Sequence, residues 1–95
     1  MTDKRHVVRI LPNGVEIEED LYQELIRQIY LVASTLRYGK VYRIHRLVMP
    51  EFWCPQPRSI RLKLGRCLAY LEQEGLVPLV FVGCPRCSVK YYRRK

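Results

Sequence analysis

The chain has 95 residues, 48% of them hydrophobic, with a net charge of +8 and a pI of about 9.6. That length fits one domain, the apolar share excludes an intrinsically disordered chain, and the charge points to a polyanionic partner, usually nucleic acid. No run approaches the roughly 18 apolar residues of a membrane span, and the opening MTDKRH lacks the apolar stretch of a signal peptide. A cytoplasmic protein with no membrane partner is therefore expected.

Residues 6–17, HVVRILPNGVEI, predict two short strands around Asn13-Gly14, a hairpin turn signal; a single strand followed by a loop is the alternative. Next, Leu21, Leu25, Ile29, Val32 and Leu36 recur at helical spacing, with Tyr22 and Ala33 beside them. Glu18, Glu19 and Asp20 put negative charge where a helix dipole favours it, so a first helix is expected over 18–36, ended by Gly39. Ile26, Tyr30 and Leu31 lie off its stripe and suggest a second contact surface, such as a homodimer interface. Within GKVYRIHRLVMP a short second helix is expected, with Val41, Ile44 and Val48 on one face and Pro50 as its stop. EFWCPQPRS then reads as a linker. The third helix is expected from Arg58 to Glu74, with Ser59 as its N-cap, Gly75 as its C-terminal stop and an apolar face of Ile60, Leu64, Cys67, Leu68 and Leu71. Strands over LVPLVFVG and SVKYYRRK close the chain around the reversal Gly83-Cys84-Pro85-Arg86-Cys87. The expected fold class is α+β. The N-terminal strand or hairpin takes residues 1–17, three helices 18–75 and a C-terminal hairpin 76–95, all within one domain.

The charge is segregated. Residues 1–36 carry a net −2, whereas residues 37–66 hold eight basic side chains against Glu51 alone, and residues 86–95 hold five bases and no acid. Blocks of this kind are the expected footprint of phosphate binding, the other reading being a merely solvated basic surface.

Three helices followed by a hairpin, with LAYLEQEGLV leading from the third helix into a basic aromatic strand, resemble the winged helix-turn-helix family over residues 18–95. The resemblance implies double-stranded DNA binding, as a transcriptional regulator or an architectural factor. It gives the recognition-helix role to Arg58, Ser59, Arg61, Lys63 and Arg66, with Arg58 and Arg61 nearest the base edges. It gives the wing role to Arg86, Lys90, Tyr92, Arg93 and Arg94, and backbone phosphate contacts to Lys40, Arg43 and Arg46. Two features depart from the family pattern: a long, proline-rich connection from Met49 to Pro57, and cysteines at the wing tip.

Cys84 and Cys87 form one C-x2-C pair, and a zinc site could be completed by Cys54 and His45. Cys67 sits mid-stripe on the third helix, as a packing residue does. Dithiol chemistry is less supported, because no helix follows the pair to depress a thiol pKa. No enzyme is expected. The acids Glu16, Glu18, Glu19, Asp20 and Glu24 cluster at a helix start, and there is neither a phosphate-cradling glycine loop nor a Ser/His/Asp set, so no small-molecule substrate is evident. The alternatives to DNA binding are a protein-interaction adaptor or inhibitor with a basic face, and an RNA-binding module stacking bases on Phe81, Tyr91 and Tyr92.

Overall fold

Asn13 and Gly14 do reverse the chain, but only Gly14 uses a positive φ, of 89°. The Asn13 side chain instead accepts a hydrogen bond from the Val15 amide, and the Leu11 amide donates to Val15 to close the loop. The computed structural model describes residues 7–83 and 90–95. Strands β1 (Val8–Ile10) and β2 (Glu16–Glu18) pair antiparallel, with Val8 opposite Glu18 and Arg9 opposite Ile17. The alternation puts Ile17 in the core and leaves Glu16 and Glu18 exposed.

Helix α1 (Glu19–Ala33) follows at once and buries Tyr22, Leu25, Ile29 and Ala33, one face at three- and four-residue steps. Gln28 is buried with them, and its side chain accepts from the Met49 amide and donates to Glu24. Arg9 pairs with Glu19 and Arg27 with Glu24, and these contacts hold each carboxyl near pKa 2, well below the usual range. The helix stops short of the expected Leu36. The Ser34 and Thr35 hydroxyls donate to the carbonyls of Leu31 and Val32, competing with the next turn of the ladder. Leu36 is buried all the same.

The expected second helix is not there. Val41 and Tyr42 form strand β3, and Ile44–Arg46 make one 3₁₀ turn. Pro50, expected to stop a helix, instead starts one: α2 (Pro50–Trp53) is a single turn with proline at its first position, where the missing amide costs nothing. The expected long linker is thereby reduced to the four residues Cys54–Pro57.

Helix α3 (Arg58–Gln73) begins after Pro57, which holds the N-cap position in place of Ser59. It buries Leu64, Cys67, Leu68 and Leu71. Its end is a Schellman motif: Gly75 takes φ 69°, its amide donates to Glu72 and the Leu76 amide donates to Leu71. Strands β4 (Leu79–Gly83) and β5 (Tyr91–Arg94) pair antiparallel. β3 adds to the far edge of β5, giving the order β3-β5-β4. The expected hairpin tip, including Cys84, Arg86 and Cys87, lies outside the described residues.

One apolar cluster unites these parts, from Leu11 and Ile17 through Leu25, Ile29, Leu64 and Leu68 to Leu79 and Tyr92. No helix among the described residues is long and apolar enough to cross a membrane.

Candidate functional site

Beside α3 lies a groove of about 440 Å³. Arg43 and Ile44 wall it on one side, with Trp53 of α2 at one end. Tyr92 of β5 and Lys90, the residue just before that strand, wall it from the C-terminal side. Along α3 it is lined by Arg58, Arg61, Leu62, Gly65, Arg66 and Leu68. Five of the lining residues are cationic and none is acidic. The side chains of Arg43, Arg58, Arg66 and Lys90 are exposed and make no ion pair or hydrogen bond among the described residues. Among the described residues, the ion pairs Arg9–Glu19 and Arg27–Glu24 neutralise cations in the N-terminal hairpin and α1. Part of each charge block thus meets on one face, as cations unneutralised among the described residues.

Not every basic residue expected here is free. Arg61 donates to the Cys54 carbonyl at 3.1 Å and its guanidinium lies over the Trp53 ring at 5.4 Å, so it braces the turn between α2 and α3. Its Nε is buried and, among the described residues, has no hydrogen-bond partner. Arg94 turns away from the groove. It lies over the Tyr38 ring at 4.4 Å and donates to the Leu36 carbonyl at 3.0 Å, tying down the end of α1. Lys40 lies over the Tyr42 ring and, with Arg46 and His45, lines a shallower depression around β3. Ser59 and Lys63 are exposed on α3, and Arg93 is exposed on β5 opposite Val41 and Val80.

Tyr92 is a correction. Expected as a wing contact, it is only 2% exposed, packed edge to face against Phe81 with centroids 5.7 Å apart. Burial, with Glu72 as a lesser cause, pushes its hydroxyl up to about pKa 12. Among the described residues the hydroxyl has no hydrogen-bond partner. Tyr92→Phe removes an unsatisfied buried polar atom and keeps the ring. It should therefore raise stability by about 1 kcal/mol, read as a higher urea midpoint, and leave any nucleic-acid affinity unchanged. A loss of affinity at unchanged stability would restore Tyr92 as a contact residue.

Helix α3 also contains Gly65, which the sequence reading passed over. Glycine inside a helix costs about 1 kcal/mol relative to alanine. Here no packing demands it: a Cβ at Gly65 would meet nothing within 4 Å. Its helical spacing from Arg58, Arg61 and Leu62 was the signal that could have found it.

No family model, no curated protein and no solved structure matches this chain. The groove's own chemistry therefore carries the functional argument.

The zinc expectation falls partly outside the described residues, since Cys84 and Cys87 lie there. Of the other two members, Cys54 is exposed at the end of α2, and His45 is exposed with its pKa lowered by desolvation and then by Arg43 and Arg46. Among the described residues no three His, Cys, Asp or Glu side chains are grouped to hold a metal. Cys67 is buried, and burial pushes its thiol up to about pKa 11. The off-stripe residues of α1 are partly engaged: Ile26 packs against the core, and the Tyr30 hydroxyl donates to the Leu76 carbonyl.

Proposed function

We propose that this chain is a small double-stranded DNA-binding protein of winged helix-turn-helix type, a transcriptional regulator or an architectural factor. The observation that carries the proposal is the cluster of unpaired cations around α3: Arg43, Arg58, Arg66 and Lys90 on the groove and Lys63 beside it. An acid-free cationic face on a chain that keeps its ion pairs elsewhere attracts a polyanion. Two features of the fold agree with a helix-turn-helix and wing. The four-residue turn Cys54–Pro57 joins α2 to α3, within the usual length for such a motif. The β4–β5 hairpin follows α3 and is tied by β3 to the segment ahead of α2.

In this proposal α3 enters the major groove with its N-terminal half. Arg58 and Ser59 stand first on the helix and are exposed, the position from which base edges are reached. Arg43, Lys63, Arg66 and Lys90 meet phosphates, and Arg58, at the mouth of the groove, meets the phosphate beside the base edge that Ser59 faces, so five cations in all are seated on the backbone. Arg61 and Arg94, expected as direct contacts, act through the protein: Arg61 sets the angle at which α3 leaves its turn, and Arg94 anchors β5 to α1.

The test is the dissociation constant for a random-sequence duplex measured against salt concentration. Five free cations on phosphates give a log–log slope of about −4 to −5. Selection from a random duplex pool then reads out specificity. Absence of duplex binding at about 50 mM salt would falsify the proposal.

A further inference from the structure

The groove has more than cations. Its wall and floor include Ile44, Trp53, Leu62 and Leu68, an apolar lining beneath a basic rim. A duplex presents phosphate and sugar to a protein surface, and those are met at the rim. Phosphate does not fill an apolar hollow. At about 440 Å³ the groove lies within the range of about 300–1,000 Å³ typical of small-ligand sites. It is deepened where Gly65 lacks a side chain, with nothing nearby to account for that lack. At one end the Arg61 guanidinium lies over the Trp53 ring, the pairing of flat groups on which bases stack, and the buried Arg61 Nε is a donor without a partner among the described residues.

We propose that the groove beside α3 seats a single unpaired nucleotide, its base against Trp53, Leu62 and Gly65 and its phosphate among Arg43, Arg58, Arg66 and Lys90. The nucleotide comes from an extrahelical position in bound DNA or from free mononucleotide; only the first source rests on the duplex-binding proposal. Gly65 is the specificity-determining position. Alanine there strengthens the helix and raises the floor, and leucine fills the hollow.

Trp53 is the only tryptophan of the chain, so its fluorescence reports the groove directly. Three duplexes of one sequence are compared: fully paired, with one extrahelical adenosine, and with one extrahelical abasic site. The abasic duplex matches the flexibility of the bulge without its base. The bulged adenosine should bind about tenfold more tightly than both others and change Trp53 emission. Gly65→Leu should lose that preference and keep the salt slope for the paired duplex, which the rim cations set. Gly65→Ala should weaken the preference while raising Tm by about 4–8 °C, so a folding defect cannot be the cause. Equal binding of all three duplexes overturns the nucleotide site and leaves duplex binding standing. If no duplex binds, titration with free dAMP decides. A saturable change in Trp53 emission that is absent in Gly65→Leu upholds the site without DNA, and no change overturns it.

Discussion

Replacing Arg43, Arg58, Arg66 and Lys90 together by alanine should lower duplex affinity by roughly a thousandfold at about 0.1 M salt and flatten the salt slope by about 3 to 4. Each cation seated on a phosphate adds about 0.9 to the slope, so removing four at once produces both figures from one cause. All four side chains are exposed and unpaired among the described residues, so their removal should cost less than about 0.5 kcal/mol each in stability. The variant also halves the net charge of +8, which by itself weakens attraction to any polyanion. Comparing two double variants removes that ambiguity. Arg58→Ala with Arg66→Ala and Arg9→Ala with Arg27→Ala change the net charge equally, but Arg9 and Arg27 are already paired with Glu19 and Glu24. Only the first pair should change the slope, by about 2. Equal effects would mean that affinity follows total charge and that α3 has no special place in the interface.

Much of the fold is legible in the sequence because long elements announce themselves. The α1 stripe from Tyr22 to Ala33, the α3 stripe from Leu64 to Leu71 and the Gly75 stop are local patterns that tertiary contacts only reinforce. Residues 39–57 are not legible in this way. Val41, Ile44 and Val48 fit a helical spacing, yet so short a stretch of periodicity does not outweigh pairing of Val41 and Tyr42 with the edge of β5, a partner about fifty positions away in sequence. Pro50 forbids helix behind it and favours helix ahead of it, and only the latter is realised. The strand YYRR shows no alternation of apolar and polar residues, so its sequence does not say whether Tyr92 or Tyr91 faces inward; that depends on which side of the sheet the helices cover. The cations of the candidate site are legible as a charge block. Its apolar floor is not, because Ile44, Trp53, Leu62 and Leu68 reach it from separate elements, and no single window of sequence contains it.

Two leucines on α3, two positions apart, should give opposite results when replaced by alanine. Leu64 is fully buried in the core that α3 shares with α1, whereas Leu62 is 60% exposed and lines the groove. Leu64→Ala removes three buried heavy atoms and leaves a cavity among close-packed neighbours, at a cost of about 2–5 kcal/mol. A domain of this size has about 5–14 kcal/mol to lose, so the urea midpoint should fall by about 2 M and part of the population should be unfolded at 37 °C. Leu62→Ala exposes no core and should leave the midpoint within about 0.3 M. Its effect belongs to the ligand: the preference for an extrahelical adenosine should drop, because the base loses an apolar neighbour, while the salt slope for paired duplex stays the same. The two variants therefore separate the inner face of α3, which holds the fold, from the outer face, to which the proposal assigns nucleic acid. If Leu62→Ala destabilised the chain as much as Leu64→Ala, Leu62 would be a core residue and the hollow beside α3 would be closed in solution. If it kept stability and the adenosine preference together, the base would sit elsewhere on the cationic face.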